Sequence, residues 1–376
     1  MKISYIANAN LPTEKAHGIQ IMSMCRAFAK NGNDVEIVTP KKKNILSLSP
    51  FAYYGTEENF RIRKIFTLDL TALGARGKIP YFIERLVFAL SVLFDAYKNT
   101  AGLFYIRDQF SFILLSNAGF PVAFEIHAVS KYHFLYTRAF RKTRAIVAIT
   151  QSIKDELVKE GFPEDKILVA PDGVDVEKFD NPGEEKINEW RRKLNIKEKT
   201  VAVYTGQLSA WKGFPSILEA SRGLEEVRIL VAGGNGKEIS RINGQIEREH
   251  LPITLTGHVR HDDIPALLGI SDMVLVPNSE KNRMSRYTSP LKIFEAMAAG
   301  KAIIASDIPA IREVLNGDNS YLVPPDNPEK LREAISALGN NPGLRKTLGE
   351  NARKLSPRYA WISRASDIID FIQKQK

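Results

Sequence analysis

Short apolar runs alternate with amphipathic helical stretches along nearly the whole chain, and the alternation occurs twice. A run too short for a helix, then a turn, then a three-to-four-residue apolar period is the pattern of a strand with its crossover helix. The chain is therefore α/β, with parallel sheets. In the first half strands are expected at Lys2–Ala7, Asp34–Thr39, Leu103–Ile106, Val122–Glu125, Ala145–Ile149 and Ile167–Ala170. In the second half they are expected at Val201–Thr205, Val227–Ala232, Ile253–Thr256, Met273–Val276, Ala302–Ser306 and Tyr321–Val323. Between Val176 and Lys199 the composition turns charged and no strand pattern occurs. The reading is thus two Rossmann-like lobes, 1–185 and 186–358, facing across a cleft, and a closing helix, 359–376, that returns to the first lobe. Ligands of open α/β sheets gather at the carboxyl ends of strands, so the loops there carry the functional argument.

At 376 residues, with 44% hydrophobic and 26% charged residues, the chain is that of an ordinary protein with more than one core. A single cysteine, Cys25, excludes an internal disulfide and suits a buried packing role. The start, Lys2-Ile3-Ser4-Tyr5-Ile6, reads as a core strand rather than a signal peptide, so the cytoplasm is the expected compartment. The most apolar stretch, Tyr81 to Tyr97, carries Glu84, Arg85 and Asp95 and is expected to be a helix that does not span a membrane. The net charge of +10 is concentrated in residues 38–144, with 16 Lys and Arg against 7 Asp and Glu. Cations such as Lys41, Lys42, Lys43, Arg61, Arg63 and Lys64 lie among Phe51, Tyr53 and Tyr54, a mixture that suits an anionic membrane surface at the inner face of the cell membrane. No nucleic-acid module accompanies them, so no nucleic-acid partner is expected.

The segment Thr288-Ser289-Pro290-Leu291-Lys292-Ile293-Phe294-Glu295 reads as an anion site at a helix start. Ser289 suits the position before the helix and Pro290 its first residue, so that the N–H groups of Leu291 and Lys292 point outward. The helix dipole and the Lys292 charge favour phosphate, and Glu295 can accept from sugar hydroxyls, a pattern that fits a nucleotide-sugar. Other loops carry weaker signals. Gly18 opens the helix after the first strand; His127 and Arg107-Asp108 follow strand ends; Gly206 to Phe214 encloses Gln207 and Lys212. Each of these is open to a bland reading as a turn, a satisfied imidazole or a surface ion pair. The chain holds no Asp-x-Asp, no His-Glu-x-x-His and no paired Cys or His at metal spacing, so no metal and no cofactor is expected. It also lacks the P-loop and nucleophile-elbow patterns.

Taken together, Ala16-His17-Gly18-Ile19-Gln20, Phe124-Glu125-Ile126-His127, Pro171-Asp172-Gly173-Val174-Asp175, Gly206-Gln207-Leu208 with Trp211-Lys212-Gly213, Thr256-Gly257-His258-Val259 and Ser289-Pro290-Leu291-Lys292 to Asp307 resemble the retaining glycosyltransferases of family 4, which have the GT-B fold. The resemblance runs nearly end to end. It implies transfer of a sugar, with retention and without a metal, from a UDP- or GDP-sugar to a lipid-linked or polysaccharide acceptor. It assigns Glu295 to the ribose, Lys212 to the diphosphate, and Leu291 and Lys292 to N–H donation. Gly18, Gln207, Val259 and Ser289 join them in donor binding, and His127 lies near the reacting sugar as a catalytic residue with Lys212 and Glu295. Two positions depart from the family pattern. Tyr287 stands where the first glutamate of Glu-x7-Glu is usual, and Gln207 where an arginine is usual. A sugar-nucleotide epimerase of the same architecture and a catalytically silent binding subunit are the alternative readings.

Overall fold

The computed structural model describes residues 1–72, 74–75, 77–99, 101–129, 136–197, 200–224 and 226–375. The chain divides into two compact units, Met1–Pro171 with Trp361–Lys376, and Asp172–Ala360.

The first unit holds seven strands: β1 Lys2–Ile6, β2 Asp34–Pro40, β3 Arg61–Ile65, β4 Leu103–Ile106, β5 Val122–Ile126, β6 Ala145–Ala148 and β7 Ile167–Val169. They form one parallel sheet in the order β3-β2-β1-β4-β5-β6-β7, with Ile3 of β1 opposite Val35 on one side and Leu103 on the other. The strand order reverses between β1 and β4, which makes their carboxyl ends the topological switch point. Every residue of β4, β5 and β6 is buried, as expected of central parallel strands covered on both faces.

The second unit repeats the plan with six strands: β8 Thr200–Thr205, β9 Val227–Ala232, β10 Ile253–Gly257, β11 Met273–Val276, β12 Ala302–Ser306 and β13 Tyr321–Val323. The order is β10-β9-β8-β11-β12-β13, all parallel, with the reversal between β8 and β11. Two apolar layers flank this sheet, one around Tyr204, Phe214 and Ile229 and the other around Val203, Phe294 and Met297. The architecture is that of two Rossmann-like units.

Strand β3 was not expected, because Arg61-Ile62-Arg63-Lys64-Ile65 has no apolar run. It is an edge strand whose arginines bridge to their neighbours: Arg61 meets Asp34 at 3.0 Å, and Arg63 meets Glu36 of β2 at 2.9 Å. The junction also lies earlier than the composition shift suggests. Val174 pairs with Ala360 and its N–H donates to the Tyr359 carbonyl at 2.9 Å, while Phe179 is buried in the second core. Residues from Asp172 onward therefore pack with the second unit. The C-terminal helix Trp361–Lys374 returns to the first unit, where it packs along the helix Ala16–Lys30; Asn31 Nδ2 donates to the Ile362 carbonyl at 3.0 Å.

Candidate active site

In the second unit the chain leaves β8 through Gly206 and Gln207 and makes a single turn of 3-10 helix, Ala210–Lys212. Gly213 ends that turn with φ 76°, and a Cβ there would lie 1.5 Å from the Pro277 carbonyl oxygen, so only glycine lets the loop lie against the end of β11. The contact is fixed from the other side by Ser279, whose N–H donates to the Trp211 carbonyl at 3.1 Å. Lys212 is thereby held near the switch point, with Nζ 3.9 Å from the Trp211 ring centroid. Burial lowers its pKa to about 8.

Lys292 is the second residue of the helix Leu291–Ala298. Its side chain is buried, its Nζ has no hydrogen-bond partner among the described residues, and it lies 3.8 Å from the Tyr204 ring. Burial pushes this ammonium well below the ordinary lysine range, the nearby charge of Lys212 pushes it further, and Glu295 opposes both. These three residues, each expected from the sequence, thus lie within electrostatic reach of one another. One buried and one half-buried lysine, with no carboxylate at hydrogen-bond distance from either Nζ among the described residues, make a site suited to an anion.

The helix start differs from expectation in one respect. Pro290, with ψ 119°, occupies the cap position and Leu291 is the first helical residue. Ser289 does not cap the helix, because its Oγ accepts a hydrogen bond of 2.9 Å from the Asp172 N–H. The cap residue, Pro290, makes no side-chain hydrogen bond to the first turn. Glu295, one turn along, is buried, and its Oε1 is 3.0 Å from His261 Nε2. His261 sits on the turn after β10 with its ring 5.8 Å from that of Phe179. It was missed by sequence reading, since nothing local links it to Glu295. Val259, in the same loop, is partly buried against the second core. Gln207 is exposed, and its carbonyl accepts from the Tyr204 hydroxyl at 2.5 Å. Tyr287 is buried and its hydroxyl accepts from Arg283 Nε at 3.2 Å.

Sequence reading also passed over Asn278, just beyond β11. It is completely buried, and neither atom of its amide has a hydrogen-bond partner among the described residues; the Ser209 hydroxyl shares that state. Each such group costs about 1–3 kcal/mol when unsatisfied. Their presence in the loops that follow β8 and β11, beside Lys212, is what a polar ligand site requires.

In the first unit, His127 follows β5 and its Nε2 lies 2.7 Å from Oε1 of Glu125. Glu125 is fully buried and held by Gln20 Nε2 at 2.5 Å, the Tyr105 hydroxyl at 2.5 Å, and both terminal nitrogens of Arg364 at 3.1 Å. Arg107 approaches the same carboxylate at 3.5 Å and also reaches the His17 carbonyl. His17 is lowered to about 4 by burial, then by Arg107, Lys15 and His127, so it is neutral near pH 7. His17, Arg107 and His127 therefore gather at the carboxyl ends of β1, β4 and β5. Gly18 is buried in the first turn of the helix Ala16–Lys30, and a Cβ on it would lie 2.0 Å from the Tyr54 hydroxyl oxygen. That hydroxyl donates to the Thr13 carbonyl and accepts from its N–H, both at 2.8 Å, so Tyr54 supplies a packing reason for this glycine.

Two sequence-family profiles match the chain in succession. Glycosyltransferase Family 4 covers residues 18–178, and Glycosyl transferases group 1 covers 186–355. An uncharacterized glycosyltransferase of Methanocaldococcus jannaschii is 30% identical over 231 residues, which is 59% of this chain and 56% of that protein. The alpha-galactosylglucosyldiacylglycerol synthase of Streptococcus pneumoniae is 23% identical over 253 residues, 66% of this chain and 64% of that protein. The chain thus matches less than two thirds of the length of either relative. Among solved structures, Anabaena HepE bound to UDP and glucose superposes with a TM-score of 0.77 at 17% identity, covering 100% of both chains. With two parallel α/β units, two successive glycosyltransferase profiles and a GT-B structural neighbour, the chain belongs to the GT-B glycosyltransferase family.

Proposed function

We propose that the protein transfers a sugar from a UDP- or GDP-sugar to a lipid-linked or polysaccharide acceptor at the inner face of the cell membrane, with retention of configuration and without a metal. The observation that carries the reading is the pair Lys212, half-buried, and Lys292, buried, mutually repelling and with no carboxylate bound to either Nζ among the described residues. A diphosphate supplies the missing charge. HepE, which shares the fold, was solved with UDP, and a relative named for diacylglycerol glycolipid synthesis supports the lipid acceptor. The epimerase and silent-subunit readings are not favoured by these relatives.

In this reading the second unit holds the nucleotide. Glu295, oriented by His261, accepts from the ribose hydroxyls; Leu291 and Lys292 offer N–H groups; and Gln207, Val259 and Ser289 border the donor. The bond between the anomeric carbon and the diphosphate oxygen breaks as the acceptor oxygen bonds to the same face, and the acceptor proton passes to the departing phosphate oxygen. Lys212 and Lys292 stabilise the charge that develops there. His127, fixed by Glu125, positions the reacting sugar, and Gly18 belongs to the same first-unit loop region. A thermal-shift panel of UDP, GDP and ADP with their common sugars tests the donor site. A ligand at 100 times its Kd stabilises by about 2.7 kcal/mol, and a panel with no responding nucleotide would falsify the reading.

Two further results are expected. Glu295→Ala should lower kcat/KM about 10- to 100-fold, the value of a hydrogen bond to a charged group. His261→Ala should have a smaller effect, since it acts through Glu295; steady-state kinetics over donor concentration check both. For Lys212, a diphosphate raises a pKa that stands near 8 in the empty site. Affinity should therefore be flat with respect to this group below pH 8 and fall above it, with proton uptake on binding. Calorimetry at pH 8 in buffers of different ionisation heat measures that uptake, and proton release would contradict the assignment.

A further inference from the structure

The helix Lys78–Lys98 is turned inside out relative to an ordinary surface helix. Its interior ionisable residues point inward into ion pairs: Glu84 with Lys42 at 2.6 Å, Arg85 with Asp108 at 3.1 Å, and Asp95 with Arg63 at 2.8 Å. Phe88, Ala89, Val92 and Ala96 are buried on that inner side. The outer side is apolar. Ile79, Phe82, Ile83, Leu90, Phe94 and Tyr97 are exposed, with Ile79 at 75%, Phe94 at 68% and Tyr97 at 66%. Their spacing follows the helical period, so they form one continuous line along the helix. Phe66 and Leu68 are exposed in the segment that this helix fastens, through the hydrogen bonds of Thr67 and Thr71 to Glu84.

An ordinary soluble protein does not leave such a stripe open, and a contiguous exposed apolar face marks an interaction surface. Its surroundings select the partner. Lys78 and Lys98 stand exposed at the two ends of the helix, and Lys41, Lys43 and Lys64 are exposed on the segments around β3. The stretch 38–144 carries 16 Lys and Arg against 7 Asp and Glu. Aromatic and aliphatic side chains between cations complement an anionic lipid surface, where rings enter the acyl boundary and lysines meet headgroups. The inward charges prevent this helix from spanning, and no helix among the described residues is long and apolar enough to cross a membrane.

We propose that the outer stripe of the helix Lys78–Lys98 docks on the anionic face of a bilayer, with the helix lying in the headgroup plane. As an account of where a lipid-linked acceptor is met, the proposal rests on the function given above. The binding itself is read without any sugar transfer, so the two can fail separately. The test is sedimentation of the full chain with phosphatidylglycerol/phosphatidylcholine vesicles and with phosphatidylcholine alone, at low and high salt. Binding is expected on the anionic vesicles at low salt and should weaken as salt screens the lysines. The Ile79→Ser/Phe94→Ser double variant should bind about 100-fold more weakly, as two apolar insertions are lost. Both side chains are largely exposed, so its melting temperature and its UDP thermal shift should match those of the unaltered protein. A Phe94→Cys variant carrying an environment-sensitive fluorophore should brighten with anionic vesicles, since Cys25 is buried and does not compete for the label. The proposal is overturned by absence of binding at low salt or by binding indifferent to the double substitution. A vesicle-free dimer that the substitution dissolves would instead assign the stripe to a second copy.

Discussion

Arg364→Ala is expected to cost about 3–5 kcal/mol of stability, because it leaves the fully buried Glu125 carboxylate without its principal counter-ion. Burial alone would lift the Glu125 pKa. Arg364, then His127 and Arg107, outweigh burial and hold the carboxyl well below its usual range. A carboxylate depressed in the folded state contributes stability that is fully present above its unfolded pKa of about 4.3 and is lost as the pH falls through the folded value. The deficit of the variant should therefore be complete at pH 7 and shrink in acid, where both proteins lose the charge. Denaturant melts across that range measure it. Adding Glu125→Gln to Arg364→Ala should recover part of the loss, since a neutral amide needs no counter-ion. A deficit that is independent of pH and indifferent to the second substitution would mean that Arg364 acts through its bonds to the Pro171 and Ala170 carbonyls and its contacts with Met24 and Trp361 rather than through Glu125. The pair also joins the C-terminal helix to β5, and so to the histidine that follows it. Arg364→Lys, which retains charge but not the bidentate geometry, should restore stability more fully than it restores turnover if Glu125 must hold His127 in one orientation.

What the sequence discloses is what is local. The apolar runs of β8, β11 and β12 announce central strands because every residue in them is buried. Strand β3 does not, because its stabilising partners, Asp34, Glu36 and Asp95, lie on other elements and its own residues look like a solvated segment. Lys212 and Lys292 are legible because each sits in a short motif whose turn chemistry can be read in place. The Ser289 cap fails for the opposite reason, since its hydroxyl is claimed by an N–H 117 positions away. The same distance effect hides His261 behind Glu295, 34 positions apart, and Arg364 behind Glu125, 239 positions apart. Asn278 is invisible in sequence for a different reason: an asparagine after a strand usually marks a turn, and only its complete burial without partners distinguishes it. The outward stripe of the helix Lys78–Lys98 could be seen as apolar but not as exposed, because the inward placement of its charges depends on Lys42, Arg63 and Asp108.

Lys292→Met should raise the melting temperature of the unliganded protein while weakening its response to nucleotide. The substituted side chain keeps the length of the buried stem and deletes an ammonium that has the Tyr204 ring but no hydrogen-bond partner among the described residues. An unsatisfied buried polar group costs about 1–3 kcal/mol, so the gain corresponds to a rise of roughly 2–8 °C. The sign of the pH dependence follows from the depressed pKa. The folded state binds fewer protons than the unfolded state between the lowered value and the ordinary lysine value of about 10.4, so the stability of the empty protein rises with pH across that window. Lys292→Met should flatten this rise, leaving the part that Lys212 contributes above pH 8. With UDP the order reverses, because the ammonium then faces a diphosphate, and the loss of a charge-assisted bond should weaken binding about 10- to 100-fold. Thermal melts with and without UDP, for the protein as found and for Lys292→Met, give all four values. A variant that melts lower and still binds UDP would show that the lysine serves the fold. The opposite pair of shifts identifies a residue whose burial destabilises the empty protein and favours the anion it is placed to receive.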